Sequence, residues 1–223
     1  MSSKELLPEW ALALRRQIRK IEQEDPVATS YTAGLFDADA SLKLQAYKDK
    51  ELKINYQFSV YWVIKQLRSE LAENRISQYL DGQGISYGFW TQTEGGRNTE
   101  YYCISIDKDC YKLTKRLAPV LSIKRRQAKI YLNKIYPIVE RSNHTNKIGL
   151  LKCVAWSDVA NVDKGGNRGK YNLLYFEDEW DIRLDLEKHG LPPNLREYLR
   201  DKSDDDADRD EQTQSNADIT DFT

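Results

Sequence analysis

Thr32-Ala33-Gly34-Leu35-Phe36-Asp37-Ala38-Asp39-Ala40-Ser41-Leu42-Lys43-Leu44 joins two periodicities within 13 residues. Up to Ala38 the run is helical, and Ser30 is placed to N-cap it. Its small residues Ala33, Gly34 and Ala38 let another backbone approach closely, although Gly34 costs helix propensity. From Ser41 the period is two: Leu42, Leu44 and Ala46 alternate with Ser41, Lys43, Gln45 and Tyr47, the pattern of a half-buried strand. A buried helix therefore runs into a strand, with two carboxylates, Asp37 and Asp39, at the junction.

Downstream the alternation repeats. Leu52, Ile54, Tyr56, Phe58, Val60 and Trp62 share one strand face, and Lys53, Asn55, Gln57, Ser59 and Tyr61 share the other. Helical spacing returns over Lys65–Leu80 and stops at Gly82 and Gly84. Ile85–Thr93 and Arg97–Ile106 then form a hairpin around Glu94-Gly95-Gly96. Helices follow at Lys108–Leu117, Ile123–Val139 beyond the Pro119 break, and Lys147–Asn161. The order helix, strand, strand, helix, strand, strand, helix is that of an α+β domain, an αββαββα unit with helices on one face of an antiparallel sheet and further helices toward the C-terminus.

Four segments follow from this pattern. Residues 1–28 carry an amphipathic helix over Leu7–Ile21, and 29–162 hold the αββαββα domain. Residues 163–200 form an extension with a Gly/Asn-rich start and an aromatic Tyr175–Trp180 stretch, which has no functional reading at this level. Residues 201–223 are acidic and poor in apolar side chains, as expected of a disordered tail. There is no internal repeat and no second copy of the Ala33–Ala40 pattern.

Composition narrows the chemistry. The sequence lacks a membrane-spanning apolar run and a signal-peptide pattern, which points to an intracellular protein of the cytoplasm or an organelle. The odd set Cys103, Cys110 and Cys153 forms no C-x-x-C pair, and only His144 and His189 supply imidazole, so a bound metal must rest on oxygen ligands. The net charge of −1 conceals a basic body, since the first 200 residues carry 32 basic against 26 acidic side chains. Lys108–Lys134 alone has nine Lys/Arg and one Asp. Such a run serves either to track a phosphate backbone or as a solvated helix face.

An apolar helix ending in D-x-D has several readings. An EF-hand loop starting at Asp37 needs Gly at 42 and Glu at 48, where this chain has Leu42 and Lys48. A haloacid-dehalogenase-like phosphatase, with Asp37 as nucleophile and Asp39 as acid/base, needs a parallel strand before the motif and βαβ units after it. The alternating strands here do not fit that.

Thr32–Ala40 resembles the nine-residue signature of the LAGLIDADG homing endonucleases, with Phe36 for Ile and departures at Thr32 and Ala40. Farther on, Leu117-Ala118-Pro119-x-Leu121-x-Ile123-Lys124-x-x-Gln127-Ala128, with Leu132 and Cys153-x-x-Trp156-x-Asp158, is similar to the single-motif, homodimeric, intron-encoded branch, so that the resemblance covers roughly Thr29–Asn161. It implies metal-dependent hydrolysis of double-stranded DNA, with Mg²⁺ held by Asp39 and the Ala38 carbonyl, and Lys124 stabilising charge at the scissile phosphate. Asp37 is implied as a helix-terminal hydrogen-bonding group. A motif helix that packs on its symmetry mate places Ala33, Gly34, Phe36 and Asp37 at the dimer interface.

The resemblance further implies a glutamine at the end of the second strand and an arginine on the next helix. Alignment on Phe58–Tyr61 puts Trp62 where the glutamine belongs, leaving Gln66 and Arg75 as candidates. A saddle-shaped sheet over the major groove makes the polar strand faces the base-reading surface: Lys43, Gln45, Tyr47, Lys53, Asn55, Gln57, Ser59, Tyr61, Trp90, Gln92, Arg97, Thr99, Tyr101 and Cys103, with Arg125 and Arg126 on the phosphates. The long target is then near-palindromic. The alternative from a different class is a non-cleaving maturase or regulator on the same fold.

Overall fold

The structure is a computed structural model and describes residues 26–94, 99–162 and 170–201. The Leu7–Ile21 helix, the hairpin tip with Arg97, the Gly/Asn-rich run and the acidic tail beyond Asp201 lie outside the described residues.

Helix α1 spans Pro26–Ala38, so it begins four residues before the expected cap and contains Ser30. Proline suits a first turn, where its missing N–H is not needed. Thr29, Thr32, Ala33 and Phe36 are buried, the i, i+3, i+4, i+7 stripe of a core-facing helix. The Asp39 N–H bonds the Leu35 carbonyl (2.8 Å) in the last turn, and strand β1 (Ala40–Lys48) begins at the next residue.

Residues 49–55 correct the expected second strand. They form a turn in which the Asp49 N–H bonds the Asn55 carbonyl (2.8 Å) and Asn55 takes the left-handed φ of 59°. Lys53 and Asn55 thus sit on a loop. Strand β2 runs Tyr56–Leu67, past the expected start of the helix, and α2 spans Glu70–Gly82. The reason is pairing. The β2 residues from Trp62 to Leu67 lie antiparallel to Ile106–Tyr101, and that ladder satisfies backbone groups that local spacing had assigned to a helix. Strands β3 (Gly88–Glu94) and β4 (Thr99–Ile106) complete a sheet of order β1-β2-β4-β3. Among the described residues the sheet's pairings are antiparallel, which removes the phosphatase reading.

The chain divides into two compact units, residues 1–44 with 59–137, and residues 45–58 with 138–223. In the first, Trp62 is the largest fully buried side chain; it meets Phe36 edge-on (centroids 5.1 Å apart) and its indole N–H bonds Thr114 Oγ1 (2.8 Å). The Thr114 hydroxyl in turn donates to the Cys110 carbonyl (2.7 Å), so neither polar group is buried without a partner. Helix α3 (Cys110–Leu117) supplies this contact. Helix α4 (Arg125–Ile130) continues through a π-helical turn at Tyr131–Ile135 into α5 (Tyr136–Glu140).

The second unit is built on α6 (Lys147–Asn161), which is buried over most of its length. A Cβ on Gly149 would stand 1.8 Å from the Asn143 carbonyl oxygen, so only glycine fits this close approach. Around Tyr56 gather Tyr171, Tyr175, Phe176 and Trp180, with centroids 4.8–6.2 Å away, and the Tyr56 and Tyr175 hydroxyls share a 2.8 Å hydrogen bond. The aromatic stretch of the extension, in helix α7 (Leu173–Trp180), is therefore a core element. Glu177 in α7 accepts from Arg196 Nε and Nη2 (2.8 and 2.6 Å) and from the Leu184 N–H (2.8 Å). No helix among the described residues is long and apolar enough to cross a membrane.

Burial pushes the Glu177 carboxyl up, but the Arg196 and Leu184 hydrogen bonds and the charges of Arg196 and Arg183 together hold it below the ordinary value. A depressed carboxylate contributes stability that is complete above its unfolded value and is lost as pH falls through the folded one. Glu177→Gln is therefore expected to lower stability near neutral pH and to flatten the acid limb, which urea unfolding midpoints across the acidic range will measure.

Candidate active site

The site lies in the first unit, where α1 ends. Asp39 is exposed and follows Ala38, one of the helix-end residues whose carbonyls lack intrahelical partners. Period two carries the buried face of β2 from Trp62 through Ile64 to Gln66, which emerges at that helix end. Gln66 Nε2 donates to Asp39 Oδ2, while Gln66 Oε1 accepts from the Tyr102 hydroxyl. Gln66 thus stands four residues after Trp62 on the same strand face, with its amide on the Asp39 carboxylate.

Tyr102 was not foreseen. It is fully buried and directly opposite Gln66 in the β2–β4 register. Burial pushes its hydroxyl pKa up, reinforced by Tyr31, Glu73 and Asp39, so the group stays protonated and donates to the amide oxygen. That leaves the amide nitrogen of Gln66 facing the carboxylate. Only the register, which no local pattern encodes, could have pointed to it.

Asp37 is the latch of the site. Its carboxylate accepts from the Ser122 N–H (2.6 Å) and the Lys124 N–H (2.9 Å), and its carbonyl accepts from Lys124 Nζ. The turn after Pro119 is thereby pinned to the end of α1. Burial holds the Lys124 ammonium below the ordinary lysine value, opposed by the charges of Asp37 and Asp39. The other residues of the K-x-x-Q-A run are structural: the Gln127 amide donates to the Leu42 carbonyl (2.9 Å), and Ala128 is fully buried.

Several expectations change. Arg75 lies over the Tyr31 ring at 5.3 Å, and no hydrogen bond or ion pair among the described residues joins it to Asp39, Gln66 or Lys124. Arg125 and Arg126 are both exposed, and Arg125 donates its guanidinium N–H groups to the carbonyls of Leu121 (2.6 Å) and Pro119 (3.3 Å). Ala33 and Phe36, expected between subunits, are turned into the chain's own core at 3% and 0% exposure. The exposed ridge of α1 is Ser30, Gly34 and Ala38, and the place of a Cβ on Gly34 is open space.

The polar strand faces hold within each unit. In the first, Lys43, Trp90 and Gln92 are exposed and Ser59, Tyr61, Thr99 and Tyr101 half-buried; in the second, Gln45 and Tyr47 are exposed and Gln57 half-buried. Cys103 shares the face of the first unit but is buried, with Sγ 4.0 Å from the Gln92 amide oxygen and its thiol pushed up by burial.

Carboxylate and carbonyl oxygens are the donors that Mg²⁺ or Ca²⁺ takes. Among the described residues there is no cluster of three or more His, Cys, Asp or Glu, and the oxygen donors at the helix end are the Asp39 carboxylate and the Ala38 carbonyl.

No protein-family model and no curated protein matches the chain by sequence. Solved structures do match in three dimensions. The homing endonuclease I-CvuI, in complex with a DNA target, aligns with a TM-score of 0.54 at 18% identity over 75% of this chain and 98% of its own. The archaeal intron-encoded homing endonuclease I-Vdi141I, complexed with DNA, aligns with a TM-score of 0.55 at 20% identity over 71% and 99%. The chain has the homing-endonuclease fold.

Asp37→Ala removes the acceptor of two backbone N–H groups in the Pro119 turn. It is expected to cost about 1–2 kcal/mol of stability, measured by urea unfolding; an unchanged midpoint would show that the latch bears no load.

Proposed function

We propose that this protein is a site-specific, double-stranded DNA endonuclease that acts as a two-fold homodimer on a long, near-palindromic target. The observation that carries the reading is the exposed Asp39 carboxylate at the end of α1, flanked by the Gln66 amide, with the Lys124 ammonium bonded to the Asp37 carbonyl at the same helix end. The fold supports it, since I-CvuI is described bound to DNA targets with Mg or Ca and I-Vdi141I bound to DNA.

Each chain carries one such carboxylate, and cutting a duplex needs two. The ridge Ser30, Gly34 and Ala38, at i, i+4 spacing on the side of α1 away from the core, suits close packing against a second copy, which brings two Asp39 residues together at the axis. Asp39 and the Ala38 carbonyl would hold the metal. A divalent cation there supplies Lewis-acid stabilisation of the phosphate and acidifies a bound water. Gln66, its oxygen held by Tyr102, directs its amide N–H groups toward Asp39 and orients water beside it. Lys124 offsets charge on the scissile phosphate. The sheet faces, with Lys43 and Lys65 among their aromatic and amide side chains, suit the major groove.

Cleaved sites selected from a random duplex library in Mg²⁺ test this reading directly. The Asp39→Asn protein is expected to bind the selected site with near-native affinity and to cut it at least about a thousandfold more slowly; native-rate cutting overturns the assignment, and a monomer on the DNA overturns the symmetry. Tyr102→Phe is expected to slow cleavage by about tenfold or more with little change in affinity, the signature of a group that orients another. Single-turnover rates and gel-shift affinities separate the two effects.

A further inference from the structure

The face of β2, β3 and β4 turned away from the helices can be read row by row in the first unit. Register aligns Lys65, Cys103 and Trp90 across the sheet, with Leu67, Tyr101 and Gln92 in the next row and Val63, Ser105 and Gly88 in the one before. That these side chains share a face is borne out by Lys65 Nζ lying 4.5 Å over the Tyr101 ring and by the Cys103–Gln92 contact. Leu67 is 60% and Trp90 43% exposed, and Val63 is half-buried. Large apolar side chains are thus presented to water around a central lysine.

This composition restricts what the face can read. Guanine is recognised in the major groove by bidentate Arg or Lys, and adenine by Asn or Gln. The outward positions of β2 (59–67), β3 (88–92) and β4 (101–105) contain no Arg and no Asn, a single lysine and a single glutamine. The one base feature that an apolar side chain matches in that groove is the C5 methyl group of thymine. The polyanion as occupant agrees with the net positive charge of the first 200 residues and with Lys43 and Lys65 on the outward strand faces.

We propose that the stretch of target lying across this part of the sheet is thymine-rich and is read through C5-methyl contacts to Val63, Leu67 and Trp90. The proposal rests on the DNA-cutting reading above and specifies its substrate. Burial of one methyl group corresponds to about a fourfold change in affinity.

The test uses the full chain and its selected site with thymines replaced one at a time by deoxyuridine, which removes only the methyl. Affinity is expected to fall about fourfold at each of two or three clustered positions per half-site and to stay unchanged elsewhere. Leu67→Ala is expected to abolish the effect at its own position alone, which separates direct contact from altered DNA shape. Uniform insensitivity to deoxyuridine, with cutting intact, overturns the thymine reading and leaves the nuclease reading standing. Tighter binding of single-stranded RNA than of any duplex, with quenched Trp90 fluorescence, overturns both.

Discussion

Phe36 packs edge-on against Trp62, and much else follows from that contact. It seats the buried stripe of α1 on the second strand of the sheet, and so fixes where the helix ends. Because the helix stops at Ala38, the next residue is presented to solvent at a point set by the core rather than by a loop. Trp62 is held from its other side by the Thr114 hydroxyl of α3, so the tryptophan that displaced an expected glutamine is the anchor of the site. A carboxylate that follows a helix seated by a fully buried aromatic pair is positioned by the core rather than by a loop.

The two aspartates of the motif divide the work. Asp37 faces inward along the helix end and gives both carboxylate oxygens to backbone N–H groups of the Pro119 turn, which places Lys124 beside the junction. Asp39, two residues on, is exposed and faces Gln66. A D-x-D string at a helix end could have served two metal ligands or a nucleophile and its acid; the hydrogen bonds instead make one a structural latch and leave the other exposed beside the Gln66 amide. Lys124 bears the cost of this arrangement, as an ammonium partly buried against the Asp37 carbonyl.

Much of this was legible in the residues. The αββαββα order, the buried and exposed faces of β1, and the extent of the Lys147–Asn161 helix all follow from periodicity, because a face that packs must repeat with its element. The helix–strand junction that carries Asp39 and the turn that leads to Lys124 could be located from the motif and the K-x-x-Q-A run. The end of β2 could not be read: Leu67 and Leu71 fall at helical spacing, yet Leu67 is outward on a strand, since pairing with Tyr101 outweighs a local pattern. The turn at 49–55 was hidden by an alternation that continued through it by chance of composition. The aromatic extension carried no local signal for its role, which is to enclose Tyr56, a residue more than a hundred positions away.

What the chain determined by itself, then, is the set of elements, their apolar faces and the carboxylate at the helix–strand junction, because these depend on neighbours within a few residues. Tertiary structure alone decided which side chains meet there. Gln66 reaches Asp39, Tyr102 holds Gln66, and Asp37 pins Lys124 through strand register and helix docking across separations of 27, 36 and 87 residues. The same means placed the Arg75 guanidinium over Tyr31. Register converts one residue of displacement into a change of face, and no local pattern carries that information.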